Sequence, residues 1–439
     1  MTDIDCIAEG DYVLPMDEGS SVIEDGAVAV SGGKVVSVGP RKELLKKYRA
    51  KRVLGGNGKA VMPGLINTHT HAAMVLMRGM ADDLPLKEWL EGHIWPAEEK
   101  WLGPEFVSDA VELACLEMLK AGVTAYGDMY FFEDVSAVTA KRLGIRAALG
   151  SGILDFPTKT ADSVDEYLRK AEDFITEWKG DALITPCIAP HAVYTCGPET
   201  LKRASALAKK HDALLHIHLS ETKWEVSEVQ ARYGKTPGMH MAALGVLEGR
   251  VLAAHCTWLT EEEMEVFARH GVGVSHCVES NLKLASGIAP VPRMLRAGIK
   301  VSFGTDGAAS NNDLDILSEM STAAKLHKAV SGDPTLLPAK TVVRMATRWA
   351  ALAIGLGHIT GSLEEGKSAD LIVLDLRKPH LTPVYNIYSH IVYSMRASDV
   401  ESVMVAGKLV VDKGRLITAD EEEILDKAEN WGRRIREGF

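Results

Sequence analysis

The chain has 439 residues, enough for a core of about 250 to 300 residues plus a second, smaller unit. With 46% hydrophobic and 25% charged residues it has the composition of a soluble globular protein, not of a disordered, fibrous or membrane-spanning one. A formal net charge of −11 without a basic stripe argues against nucleic acid or an anionic membrane as partner, while leaving room for an anionic small molecule. The start, Met1-Thr2-Asp3-Ile4-Asp5, is acidic and no long apolar stretch follows, and no run approaches the ~20 residues that cross a bilayer. Six scattered cysteines without a Cys-x-x-Cys pair read as reduced thiols, so the expectation is a cytoplasmic protein.

In chain order, short strands alternate with turns first: Asp11–Leu14, Gly26–Val30 and Lys34–Gly39, with Gly32-Gly33 marking a hairpin. The apolar, β-branched run Ala60–Ile66 reads as a buried strand leading into Asn67-Thr68-His69-Thr70-His71. From there to Asp306, strand-like runs alternate with amphipathic stretches such as Ser108–Ala121, Val164–Trp178, Glu199–His211 and Glu261–Gly271. The runs end near His71, Met129, Asp155, Ala192, Glu221, Trp258, Ser280 and Asp306. Eight strand–helix units in this span predict a (β/α)8 barrel of the TIM type. An open doubly wound sheet is the runner-up, disfavoured because no Gly-x-Gly-x-x-Gly follows an early strand. Strand character returns at Ser368–Asp375 and Val400–Val411, and Asp420–Arg436 has helical spacing. The predicted architecture is therefore α/β. A barrel over residues 63–362 is joined to a small β-sandwich domain built from 1–62 and 363–439, with a C-terminal helix.

Side chains on a strand alternate between faces, so His69 and His71 point the same way and together make half of a metal site. A barrel places its chemistry at the strand C-termini, and the polar residues that look out of place sit there. His191 follows the fourth strand, His216 and His218 lie in the fifth, His255 ends the sixth and Asp306 the eighth. Each has an ordinary explanation taken singly. A strand histidine can bond a neighbouring carbonyl, Asp306 can cap the helix after it, and Glu221 can be a solvated carboxylate. Their joint placement at one end of the barrel is what points to a metal site. His216 and His218 share a face, and the later one lies nearer the barrel mouth, which selects His218.

These residues carry a family resemblance. Pro63–His71, His216-Ile217-His218, Ala254-His255-Cys256, Gly304-Thr305-Asp306-Gly307 and Gly366–Leu371 make nearly the whole chain similar to the amidohydrolase superfamily. Within it, Met77–Leu86, Trp95-Pro96-Ala97-Glu98 and Ser280–Val291 resemble the 5-methylthioadenosine/S-adenosylhomocysteine deaminases. The resemblance implies that His69, His71, His218 and Asp306 hold one divalent metal ion, with zinc the leading candidate. Three histidines and an aspartate also suit Fe(II), Mn(II) or Co(II). The bridging lysine of two-metal relatives has no counterpart near His191, which favours one ion.

The implied reaction is hydrolytic deamination of the 6-amino group of an adenosine-type nucleoside. Asp306 takes a proton from water, His255 holds the nucleophile by a hydrogen bond, and Glu221 passes a proton to purine N1. His191 contacts the ligand, and Glu98 accepts hydrogen bonds from the ribose hydroxyls. The 5′ end is open among 5′-methylthioadenosine, S-adenosylhomocysteine, adenosine and 5′-deoxyadenosine. No arginine stands in the third-strand stretch Leu149–Asp155, Arg169 reads as a surface-helix residue, and Cys277-Val278 replaces the more usual Asn-Pro. Met74, Met77, Met80 and Met129 read either as a soft wall for a thioether or as core filling.

Alternatives on the same scaffold are a guanine or other aminoheterocycle deaminase and a triazine-type chlorohydrolase. A non-enzymatic scaffold relative is disfavoured because all four ligand residues are present. The zinc deaminases that carry Pro-Cys-x-x-Cys are excluded, since the chain lacks that motif. The expected partner is a small nucleoside, with neither nucleic acid nor membrane. Homo-oligomers are common in the family, but a single chain identifies no interface.

Overall fold

The computed structural model describes residues 1–438. Its strands form two eight-stranded sheets. The first begins with β1 (Thr2–Val13), β2 (Ile23–Ser31), β3 (Lys34–Pro40) and β4 (Tyr48–Pro63). The second contains β5 (Leu65–Thr70), β6 (Val123–Tyr130), β7 (Arg146–Ile153) and β8 (Ile184–Pro190). It continues with β9 (Leu214–Leu219), β10 (Val251–His255), β11 (Gly273–His276) and β12 (Val301–Phe303). The chain then returns to the first sheet through β13 (Leu371–Asp375), β14 (Val400–Val405), β15 (Lys408–Asp412) and β16 (Arg415–Leu416).

Every pairing in the second sheet is parallel and joins neighbours in sequence, with helices in the crossovers. Two bonds tie its ends together and close the barrel: Thr68 Oγ1 donates to Phe303 O at 2.9 Å, and the Asp306 amide to His69 O at 3.0 Å. The crossover helices form where the apolar spacing predicts them. Val164–Trp178 buries Tyr167, Leu168, Ala171, Phe174, Ile175 and Trp178, an i, i+3/i+4 stripe, and Ser163 caps its first turn. Glu261–His270 opens with a reciprocal capping box between Thr260 and Glu263.

The first sheet has strand order β16-β15-β14-β13-β4-β1-β2-β3, so the four strands from the end of the chain form one half and the four from its start the other, joined where β13 pairs antiparallel with β4. The sheet curls until its hairpins meet, with the Val35 amide on Lys367 O and the Ala369 amide on Gly33 O, both at 2.9 Å. Cys6, Val28, Val30, Val61, Leu371, Val373 and Met404 pack between its halves, which gives the sandwich character.

Two features differ from the linear reading. The run Ala60–Ile66 is two strands in two sheets, divided at Gly64, where a Cβ would lie 2.1 Å from the Thr124 side chain. The final helix, Glu421–Gly438, leaves the terminal sheet and docks on the barrel helix Pro104–Lys120. Trp431 stacks edge-on against Phe106 at 5.1 Å and donates its indole N–H to Asp109 at 2.8 Å. Among the described residues no helix is long and apolar enough to cross a membrane.

The sheets are bolted together by a buried ion pair. Arg146, the first residue of β7, meets Asp370 with Nε to Oδ2 at 2.7 Å, and the two are 4% and 1% exposed. Asp370 also accepts the Ala406 amide. Removing one partner of a buried pair strands the other charge, so Asp370→Asn should destabilise the chain by about 3–5 kcal/mol. Replacing both, as Arg146→Met with Asp370→Leu, should recover most of that. Urea unfolding followed by circular dichroism measures each midpoint, and equal losses for both variants would contradict the account.

Candidate metal centre and substrate cavity

Four side chains from three places in the barrel converge at its C-terminal mouth. His69 and His71 come from the end of β5, His218 from β9, and Asp306 from the turn after β12. One ligand atom from each lies within 4.8 Å of all the others. Asp306 Oδ1 is 3.4 Å from His69 Nε2 and 3.2 Å from His71 Nε2, and the Nε2 atoms of His71 and His218 are 3.2 Å apart.

The outer nitrogens determine what the inner ones can do. His71 Nδ1 donates to Met129 O at 2.7 Å, and His218 Nδ1 to His191 O at 2.8 Å. In the neutral rings both Nε2 atoms therefore carry lone pairs. Two lone pairs facing one another across 3.2 Å repel unless a cation lies between them. His69 Nε2 is buried and has no hydrogen-bond partner, while its Nδ1 is 3.0 Å from His216 Nε2. With His69 Nδ1 as the donor in that contact, its Nε2 is left as a free lone pair. Burial lowers the basicity of His71, yet the Asp306 carboxylate outweighs it and lifts the ring to about 9. A carboxylate that attracts positive charge so strongly, surrounded by free imidazole nitrogens, fits a divalent ion with His₃Asp ligation.

Asp306 is held for this role. Its Oδ2 accepts from Ser280 at 2.7 Å and Ser310 at 2.8 Å, which aims Oδ1 at the histidines. Burial pushes its pKa up, but the His69 and His71 rings that face it hold it well below the ordinary carboxylate range. Gly304 allows the approach, since a Cβ there would sit 2.5 Å from Ser275 Oγ and 2.7 Å from His69 Cβ.

The cluster opens into a cavity of about 660 Å³, in the range that takes a drug-sized ligand. Its wall includes His71, Glu98, His191, His218, Glu221, His255 and Asp306 among apolar side chains such as Leu154, Phe131 and Phe156. Every residue singled out in the sequence as a ligand, catalytic group or substrate contact is thus near this one space.

Glu221 is 6% exposed, with Oε1 3.2 Å from Ser286 Oγ and Oε2 3.8 Å from His255 Nε2. Burial raises its pKa. His255 Nδ1 is 2.9 Å from Asn281 Oδ1, which turns Nε2 toward Glu221. His191 is tied through Nδ1 to Thr195 Oγ1 at 2.8 Å, and its ring lies 4.9 Å from that of His218. Glu98 is buried on the helix Trp95–Trp101 and accepts from the Tyr130 hydroxyl at 2.6 Å. Burial lifts it to about 7 against that hydrogen bond. Met74 and Met129 line the cavity, whereas Met77 is in the core; Arg169 is exposed and pairs with Asp173.

The supporting groups escaped the linear reading. Glu225 accepts the Ser220 and Glu221 amides, both at 2.8 Å, and so fixes the loop that carries Glu221. The pattern Thr222-x-x-Glu225 at a helix start was the available signal. His216, Tyr130, Asn281 and Ser310 support the site through single side-chain contacts that sequence spacing does not announce. Lys159 also lines the cavity and donates to Lys100 O and Leu102 O.

Comparison with known proteins places these observations in context. The amidohydrolase family pattern matches residues 60–410. The chain is 54% identical over 432 residues to a 5-methylthioadenosine/S-adenosylhomocysteine deaminase of Thermodesulfovibrio yellowstonii, with 98% of each chain covered. It is 44% identical to a 5′-deoxyadenosine deaminase of Methanosarcina acetivorans, covering 97% of this chain and 96% of that one. A solved structure of an adenosine deaminase from Xanthomonas campestris with bound zinc superposes with a TM-score of 0.97 at 43% identity, covering 99% of both chains.

If His216 orients His69, then His216→Phe should weaken metal affinity by about 10–100-fold without unfolding the barrel. Competition with a chromogenic chelator, alongside circular dichroism, measures this. Unchanged affinity would remove His216 from the site.

Proposed function

The chain belongs to the amidohydrolase family, and from that premise we propose that it hydrolytically deaminates adenosine-type nucleosides, releasing ammonia and the inosine-type product. The substrate set is 5′-methylthioadenosine, S-adenosylhomocysteine, adenosine and 5′-deoxyadenosine, chemistry found in the names of its relatives. One observation carries the reading beyond generic hydrolysis: besides Glu221 and the ligand Asp306, the cavity has a third buried carboxylate, Glu98, in its wall. A nucleoside presents an amine-bearing ring and a vicinal diol, one for Glu221 and one for Glu98. A free base or a triazine leaves Glu98 without a task.

His69, His71, His218 and Asp306 would hold a single divalent ion, which we take to be zinc as in the Xanthomonas campestris structure. Such an ion lowers the pKa of bound water to about 7, supplying hydroxide at neutral pH. Asp306 receives the proton of the attacking water, its charge held ready by the neighbouring histidines. His255 steadies the nucleophile through Nε2. Glu221, whose pKa burial raises, passes a proton to purine N1 and makes C6 electrophilic. It then helps return a proton to the departing amine. His191, anchored by Thr195, contacts the ligand, and Glu98 receives the ribose hydroxyls. Six buried free thiols suit the reducing cytoplasm, where we place the enzyme.

Glu221→Gln removes the proton shuttle and should lower kcat by about 10²–10⁴-fold. Metal content should stay at the wild-type level. Steady-state assays following ammonia release, with metal analysis, test the pair. Full activity in the variant, or a wild type active on guanine but silent on every adenosine, would overturn the assignment.

The raised pKa of Glu98 sets a pH dependence. The diol needs the carboxylate form, and that form is lost as pH falls through about 7. KM for adenosine should therefore rise below neutrality, and the effect should disappear in Glu98→Gln, whose KM is high throughout. A pH profile of KM for both proteins checks the sign.

A further inference from the structure

The stretch Ser280–Val291 supplies none of the four ligand residues, yet three of its side chains reach three different acid–base groups of the site. Ser280 donates to Asp306 Oδ2 at 2.7 Å, Asn281 Oδ1 accepts from His255 Nδ1 at 2.9 Å, and Ser286 donates to Glu221 Oε1 at 3.2 Å. All three side chains are buried. Asp306, His255 and Glu221 end or follow three different strands, so one short segment refers them to a common frame.

The backbone of that segment is built to aim Ser286. After the short helix Val278–Lys283, the Ser286 amide returns to Asn281 O at 2.9 Å, and the Trp258 indole N–H donates to Ser286 O at 2.7 Å. Ser286 is thus tied through both its amide and its carbonyl. Its neighbours both have positive φ, 52° at Ala285 and 134° at Gly287. A Cβ on Gly287 would lie 2.7 Å from Trp258 Cζ2 and 2.8 Å from Thr257 Cγ2, so the turn packs directly on the residues just beyond β10. Backbone held this way is costly, and the outcome here is one hydroxyl directed at one carboxylate oxygen.

With Ser286 as the donor, Oε1 of Glu221 is occupied. Oε2, turned toward His255 Nε2 at 3.8 Å, is the oxygen left to carry a proton. We propose that Ser286 is a positioning residue for Glu221: its hydroxyl fixes the carboxyl group and assigns proton transfer to Oε2, while the rest of Ser280–Ser286 aligns that group with His255 and Asp306. This inference rests on the deaminase reading above and deepens it. A hydroxyl that donates to a carboxylate favours its charged form, so Ser286 works against the upward push of burial on Glu221. The charged and titratable groups that also act on Glu221 are His255, Asp306, His71, Glu225 and Tyr194, and substitution of Ser286 replaces none of them.

Ser286→Ala should lower kcat for adenosine by about 10–100-fold, the worth of a hydrogen bond to a charged group, with KM and metal content close to wild type. The limb of the kcat–pH profile that Glu221→Gln abolishes should move to higher pH, because the charged form has lost a donor. Ser286→Thr keeps the hydroxyl and should keep the wild-type profile. Ser286→Cys, a weaker donor, should fall between the two, and it supplies the same reading should the alanine variant fail to fold. In the Glu221→Gln background Ser286→Ala should cost nothing further, since it acts only through that carboxylate. Ammonia release measures all of these rates. Losses that multiply in the double variant, or a limb that stays in place when the hydroxyl is removed, overturn the role of Ser286 and leave the deaminase reading intact. Full activity in Glu221→Gln, or a wild type silent on all adenosines, overturns that reading and this inference with it.

Discussion

The structure turns on the direction of imidazole lone pairs. Three histidines, His69 and His218 buried and His71 half-buried, converge at one point with an aspartate, and neutral rings tolerate that crowding only if a cation sits among them. Backbone carbonyls make the arrangement possible. Met129 O and His191 O take the Nδ1 protons of His71 and His218, so neither ring can rotate its free nitrogen away. Each carbonyl belongs to a neighbouring barrel strand or the residue just past its end. Barrel register thereby becomes coordination geometry, and the parallel sheet must close for the centre to exist.

The backbone around the centre is correspondingly strained. Ser220, His255, Cys256 and Asp306 all have positive φ, between 50° and 69°, although none is glycine. They stand at the ends of strands β9 and β10 and just beyond β12, where the chain must turn sharply and still present a side chain inward. Such residues are destabilising by of order 1–3 kcal/mol each unless the surroundings hold them. The surroundings do: the Asp306 amide bonds His69 O, the Cys256 amide bonds Leu219 O, and Glu225 caps the Ser220–Glu221 amides. The strain lies where function needs side chains in unusual directions.

Much of this was legible before any coordinates. Period-two spacing put His69 and His71 on one face, and strand-helix alternation identified the barrel, because both depend on local periodicity. The ligand cluster followed, since barrel topology sends every strand end to one mouth. The two-sheet split at Gly64 was not legible: Ala60–Ile66 is uniformly apolar, and only the contact with Thr124 divides it. The final helix reads as amphipathic from its sequence, but nothing local says that its apolar face belongs to the barrel through Trp431 and Phe106. The supporting roles of His216, weighed in the sequence as a ligand, and of Tyr130 stayed hidden for a related reason. Their partners are 147 and 32 residues away, and an isolated histidine or tyrosine carries no mark of what it supports.

The end of β6 joins two tasks that are usually described apart. Met129 offers its carbonyl to His71, while the next residue, Tyr130, gives its hydroxyl to Glu98. The ligand cluster and Glu98 are therefore both set by two adjacent residues of one strand, which fix the spacing between them. Loops around the mouth can drift and re-tailor what hangs from the far end of a ligand. The span between the histidine cluster and Glu98 cannot drift with them, because altering it means moving a barrel strand.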